Sequence, residues 1–257
     1  MNGNELNILF TGLTEKGSEI NSLAEYKDVR LIKFPTIEIM PLPLSREDLN
    51  IINYAADYDF LVFTSVNAVK YFFSSFNGEL TTLNRKTKIV AIGKKTAEKL
   101  MRNNIDVDLI PSASSSESID VLLSKNLVDG KSVLIPGSKI SKADLFQALV
   151  NKGAAVDFVA VYDNQLPGKV PEDIKEKTDS NFFNLFVFTS PSTFNNFIKL
   201  FEIGNPRSYF ADKDIAVIGP VTERAITERN IKVAIKPDKF NLTALKNEII
   251  NFYGLDK

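Results

Sequence analysis

Short apolar runs alternate with amphipathic stretches along this chain. The apolar runs predict strands over 7–11, 30–34, 60–64, 89–92, 107–110, 132–135, 155–161, 185–189, 215–218 and 232–235. Between most of them, apolar positions recur at helical spacing. These predict helices over 66–73, 96–103, 118–124, 142–152, 191–201, 221–229 and 243–253,. Largely apolar strands that alternate with helices predict parallel sheets covered on both faces. Two segments break the pattern. Residues 35–41 are extended and bounded by prolines, residues 161–167 occupy the equivalent place in the second copy, and neither has a helical spacing. Each follows a strand-helix-strand unit, so they are expected to be paired connectors.

The pattern also repeats. Phe63-Thr64-Ser65 closes one apolar run, and Phe188-Thr189-Ser190 closes another 125 residues later. Ala91-Ile92-Gly93 precedes a helical pattern containing Thr96, and Val217-Ile218-Gly219 precedes one containing Thr222, 126 residues on. Asn7-Ile8-Leu9-Phe10 has its counterpart in Ser132-Val133-Leu134-Ile135. Two copies, each of domain size, point to a duplicated α/β unit and not to a solenoid. A cleft between two similar lobes is then the expected place for a ligand.

Composition narrows the chemistry. A length of 257 residues can bury two ordinary cores,. The net charge of −1 gives no basic field, so nucleic-acid binding is not expected and an anionic ligand must meet local donors,. The chain has no Cys and no His, which excludes disulfides, thiolate metal sites, a cysteine nucleophile and a histidine base,. Acid–base work falls to Tyr, Lys, Asp or Glu. No signal peptide and no membrane-spanning apolar stretch is visible, and a cytoplasmic location is expected. The Asn241-Leu242-Thr243 sequon is incidental in that setting.

The strand-to-helix turns are the best candidates for binding. Ser65 and Ser190 stand where N-caps belong, and Pro191 fills a first helical position,. Gly93 and Gly219 open the two matching turns. Such turns present unpaired N–H groups and the positive end of a helix at the carboxyl end of a parallel sheet, a setting that suits carboxylates or phosphates. Each serine is also an ordinary cap, and Thr96 and Thr222 could equally cap a first turn or touch a ligand. No phosphate loop, dinucleotide fingerprint or nucleophile elbow is present: Gly93-Lys94-Lys95-Thr96 has Lys88 where a phosphate loop needs glycine,.

Taken together, Phe63-Thr64-Ser65-Val66-Asn67-Ala68-Val69, Phe188-Thr189-Ser190-Pro191-Ser192, Ala91-Ile92-Gly93 with Thr96, and Val217-Ile218-Gly219-Pro220-Val221-Thr222 resemble the uroporphyrinogen-III synthase family. So do Phe34-Pro35 with Ile37-Glu38-Ile39 and Pro41, and Val161-Tyr162. The resemblance covers nearly the whole chain in order.

It implies two flavodoxin-like α/β lobes with parallel sheets, joined by a two-stranded β-ladder hinge. One discontinuous lobe would comprise 1–34 and 168–257, the other 42–159, with 35–41 and 160–167 as the ladder. The implied activity is that of a cyclising hydro-lyase in haem biosynthesis. It closes hydroxymethylbilane to uroporphyrinogen III with loss of water and inversion of the D ring, through a spiro intermediate. No cofactor or metal is implied. The implied partners are the small-molecule substrate and, transiently, hydroxymethylbilane synthase; the chain would be a monomer without nucleic-acid or membrane contacts. Tyr162 matches the family's candidate for side-chain chemistry, as a weak general acid toward the departing hydroxyl; the equal alternative is that it packs in the ladder or only positions substrate. Thr64, Ser65, Gly93, Thr96, Ser138, Lys139, Ser190, Gly219 and Thr222 fall at substrate-binding positions.

The chain departs from the family pattern in two turns. Thr11-Gly12-Leu13 replaces an Arg-Pro turn, and Pro136-Gly137-Ser138-Lys139 replaces an Arg-Gly turn, where Lys139 or Lys142 could supply the cation. The rival class is a non-catalytic two-lobed protein that binds a tetrapyrrole or another small anion. A flavin carrier is a weaker third, for want of a phosphate loop.

Overall fold

The computed structural model describes residues 5–14, 18–111, 124–139 and 143–256. The strands are β1 (Leu6–Phe10), β2 (Val29–Lys33), β3 (Glu38–Pro41), β4 (Phe60–Phe63), β5 (Lys88–Ala91), β6 (Ser132–Ser138), β7 (Ala155–Gln165), β8 (Leu185–Phe188) and β9 (Asp214–Val217). The α-helices are α1 (Arg46–Asn53), α2 (Val66–Phe73), α3 (Leu80–Lys86), α4 (Lys94–Met101), α5 (Lys125–Val128), α6 (Ala143–Asn151), α7 (Glu172–Asp179), α8 (Pro191–Leu200), α9 (Pro206–Tyr209), α10 (Pro220–Thr227) and α11 (Leu242–Tyr253). The helix predicted over 118–124 lies, but for Ser124, outside the described residues, as does Lys142.

The chain divides into two compact units, one of residues 1–38 and 165–257, the other of residues 39–164. The first holds a sheet of order β2-β1-β8-β9, parallel throughout. The second holds β3-β7-β6-β4-β5, in which β7, β6, β4 and β5 are parallel. The repeat is visible in the strand orders. β1, β8 and β9 occupy in one sheet the places that β6, β4 and β5 occupy in the other, so each sheet draws on both copies of the repeat.

Phe60-Leu61-Val62-Phe63 and Leu185-Phe186-Val187-Phe188 are buried at every position, as strands covered on both faces must be,. Around β8 the core is aromatic. Phe186 lies with its ring centroid 5.2 Å from that of Phe210, 5.3 Å from that of Phe197 and 5.8 Å from that of Phe183.

Three expectations change on contact with the structure. The strands predicted over 107–110 and 232–235 shrink to single bridges, Leu109 to Val90 and Ile235 to Ala216. In the first, the Asp108 carboxylate accepts the Ile89 N–H at 2.7 Å, and Pro111 follows without a donor,. The segment 161–167 continues the strand before it, since β7 runs to Gln165. The other connector supplies β3, which is hydrogen-bonded beside β7, and Leu42 N–H continues to the Val161 carbonyl at 3.2 Å. Among the described residues no helix is long and apolar enough to cross a membrane.

Candidate functional site

In the unit of residues 39–164, the carboxyl ends of β4, β5, β6 and β7 bring most candidates together. Ser65 follows β4 and caps α2, accepting the Ala68 N–H at 3.0 Å. Its extended backbone and short hydroxyl side chain make that bond local, which is why the sequence signals it. The Tyr162 hydroxyl lies 3.0 Å from the same Ser65 oxygen. A hydroxyl oxygen can accept two hydrogen bonds, so beside the Ala68 N–H either hydroxyl can donate its own proton to the other,.

Tyr162 reaches this position through an irregularity in the sheet. β6 and β7 pair in step as far as Gly137 with Ala160, and then Ser138 pairs with Tyr162. Val161 is therefore the extra residue of a bulge. In a regular strand Val161 and Tyr162 would face opposite sides of the sheet. Here both are buried in one apolar cluster, Tyr162 at 7% exposure. Bulges re-aim side chains in this way next to functional sites. Ser138 is buried in this pairing, while Lys139 donates its backbone N–H to the Tyr162 carbonyl at 3.0 Å and leaves its side chain exposed.

The neighbouring turn opens α4. Gly93 has φ 93° and ψ 150°, a conformation that favours glycine,. Ile92 N–H donates to the Phe63 carbonyl at 2.8 Å, which holds this turn beside Thr64 and Ser65. Thr96 is buried, and its hydroxyl donates back to the Ile92 carbonyl at 3.1 Å.

The unit of residues 1–38 and 165–257 carries the other pair of turns. Ser190 caps α8 in a reciprocal capping box with Thr193, at 3.1 Å in each direction,. Beside it, Ile218 N–H donates to the Phe188 carbonyl at 3.3 Å, and Gly219-Pro220 opens α10. Gly219 is extended, and its lack of a side chain makes room for Phe240: a Cβ there would sit 3.2 Å from the ring. Thr222, only 3% exposed, makes no side-chain hydrogen bond among the described residues, unlike its counterpart Thr96.

That contrast gives a measurable difference. Thr96→Ala is expected to lower unfolding free energy in urea by about 0.5–1.5 kcal/mol more than Thr222→Ala, for the hydrogen bond it loses. Equal losses of stability would show that the two threonines do the same structural work.

Sequence reasoning missed four residues here. Tyr71 stacks on Tyr162 from α2, with centroids 5.8 Å apart. Thr36 is fully buried and ties the first connector to α8, donating to the Thr193 carbonyl at 2.9 Å and accepting from Asn196 at 2.9 Å. Gly12, noted only as a departure, allows a close approach, since a Cβ would lie 2.7 Å from the Thr189 hydroxyl. Phe240 is 60% exposed beside Gly219. Only the glycine carried a signal, because small residues mark close backbone contacts.

A cavity of about 460 Å³ lies elsewhere, at the amino ends of β4, β6 and β7, lined by Tyr54, Tyr58, Ser132 and Asp157 among others. Burial, and then its hydrogen bond to the Asp157 carboxylate, push the Tyr58 phenol well above its ordinary range. None of the candidate residues faces it. Among the described residues no group of three or more acidic side chains is placed to hold a metal ion.

Comparison with known proteins agrees with the fold. A family model described as "Uroporphyrinogen-III synthase HemD" matches residues 18–247. The uroporphyrinogen-III synthase of Synechococcus elongatus is 28% identical over 247 residues, covering 93% of this chain and 92% of that one. That of Chlorobaculum parvum is 26% identical over 228 residues, covering 86% and 88%. The solved structure of the Helicobacter pylori uroporphyrinogen-III synthetase superposes with a TM-score of 0.66 at 18% identity, covering 96% of this chain and 99% of that one. A mutant synthase from Thermus thermophilus gives 0.64 at 17%, covering 97% and 98%.

Proposed function

Because this chain belongs to the uroporphyrinogen-III synthase family, in which haem biosynthesis is the shared task, we propose that it closes hydroxymethylbilane to uroporphyrinogen III. The linear tetrapyrrole loses its terminal hydroxyl as water, its D ring is inverted through a spiro intermediate, and the macrocycle closes. The observation that carries this reading is the hydroxyl pair of Tyr162 and Ser65 at 3.0 Å, set at the carboxyl edge of a parallel sheet.

Four chemical tasks follow from the geometry. The first-turn N–H groups of α2 and α4 receive carboxylates of the substrate, which carries eight of them. Ser65 shapes the first of these turns, and Gly93 keeps the second open. Tyr162 donates its phenolic proton to the departing hydroxyl, whose C–O bond breaks to release water. The Ser65 hydroxyl then donates to the phenolate oxygen and limits the charge left there. Holding the bilane with its two ends adjacent supplies a large share of the rate by proximity.

The experiment is to give the purified protein freshly prepared hydroxymethylbilane and resolve the oxidised products by chromatography. Uroporphyrin III is expected to dominate. Only uroporphyrin I, the product of spontaneous closure, from folded protein would replace this reading with a non-catalytic tetrapyrrole- or anion-binding role.

A further inference from the structure

One helix holds Tyr162 at two points. Its cap, Ser65, meets the hydroxyl, and Tyr71 in the following turns lies against the ring. The two ring centroids are 5.8 Å apart and the planes 28° apart. Tyr71 is itself fixed. It is buried, and its hydroxyl donates to the Ile39 carbonyl on β3 at 2.9 Å. The Lys70 ammonium stands 3.4 Å from the same hydroxyl and 4.7 Å from the ring centroid.

The phenolic oxygen of a tyrosine lies on the axis of its last side-chain bond, so turning about that bond leaves it in place; it moves when the whole ring tips, a freedom of the first side-chain torsion. The ladder resumes at Tyr162, which pairs with Ser138 just past the bulge, so backbone pairing holds its main chain and leaves that tilt to its side-chain neighbours. A stacked ring with its own hydroxyl anchored removes the freedom. Stacked aromatic pairs are attractive beyond the area they bury.

We propose that Tyr71 is a positioning residue: it keeps the Tyr162 ring from tipping so that its hydroxyl meets Ser65 at the carboxyl edge of the sheet. The catalytic consequence rests on the role given to Tyr162 above; the structural one does not. Lys70 and the Ile39 carbonyl fix Tyr71 in turn. The path from β3 to the reacting hydroxyl thus runs through one aromatic pair.

Two substitutions separate positioning from mere filling of the core. Tyr71→Phe keeps the stacked ring and loses only the bond to Ile39. Tyr71→Leu keeps an apolar side chain and loses the stack; should it fail to fold, Tyr71→Met fills the same space flexibly and serves instead. Tyr71→Leu is expected to lower kcat about tenfold to a hundredfold with KM little changed, as misplacement of a reacting group does. Tyr71→Phe is expected to retain most of kcat.

In protein with ring-labelled tyrosine, the Tyr162 carbon signal is identified by its loss in Tyr162→Phe. It is expected to keep its position in Tyr71→Phe and to move in Tyr71→Leu. Wild-type kcat in a folded Tyr71→Leu, or an unmoved Tyr162 signal, would overturn the proposal. If the unmodified protein makes no uroporphyrinogen III, the functional reading fails, and the labelled spectra still decide whether Tyr71 holds Tyr162.

Discussion

Tyr162→Phe is expected to lower turnover to uroporphyrinogen III by about 10²-fold or more, the range in which a positioned general acid contributes. The product balance should shift toward uroporphyrinogen I, because spontaneous closure then competes with the enzyme. The fold should be nearly untouched. The phenylalanine ring keeps its stack on Tyr71, and Ser65 keeps the Ala68 N–H that makes it a cap. One hydrogen bond is lost, with a net cost of about 1 kcal/mol. Single-turnover product analysis beside a thermal melt separates the two quantities. A wild-type rate in the folded variant would remove the Tyr162 hydroxyl from the chemistry and leave it as a packing residue.

The largest effect on stability is expected from Phe186→Ala, about 3–5 kcal/mol, the usual cost of emptying a core site of a phenylalanine ring. Phe186 is fully buried on β8, with Phe183, Phe197, Tyr209 and Phe210 edge-on around it. The backbone offers little means of closing the space, because β8 is paired on both sides, to β1 and to β9. The same strand leads directly into Ser190, so loosening it also loosens a turn assigned to substrate. Urea unfolding of the full chain measures the loss. A change below about 1 kcal/mol would mean that the surrounding rings collapse into the space, as small-cost sites do.

What could be seen from the amino acids alone follows the range of the forces involved. The four-residue apolar runs that became β4 and β8 were visible because a strand covered on both faces must be apolar throughout. Ser65 and Ser190 were visible because capping joins a side chain to a backbone N–H three residues away. Gly93 announced a turn because φ 93° favours glycine.

The misses depended on partners far along the chain. Thr96 and Thr222 are equivalent in sequence, yet one hydroxyl is engaged by the Ile92 carbonyl and the other is left without a protein partner among the described residues. The bulge at Val161 arises from the register of β7 on β6, and no residue type marks it. Tyr71 fits the apolar spacing of α2, so the pattern accounted for it as core and gave no hint of the ring it faces. The predicted edge strand at 107–110 failed because a side chain, Asp108, takes the N–H of Ile89 that a regular ladder would have used.

We propose that substrate carboxylates dock on the backbone N–H groups of the turns that open α2 and α4, at the sheet edge where Tyr162 stands. Amide chemical-shift mapping with uroporphyrinogen III added to ¹⁵N-labelled protein tests it most directly. The largest shifts are expected at Ser65–Ala68 and Gly93–Thr96, with Tyr162 and Lys139 among the affected residues. Shifts confined to the cavity around Tyr54, Tyr58 and Asp157, with these turns silent, would contradict it.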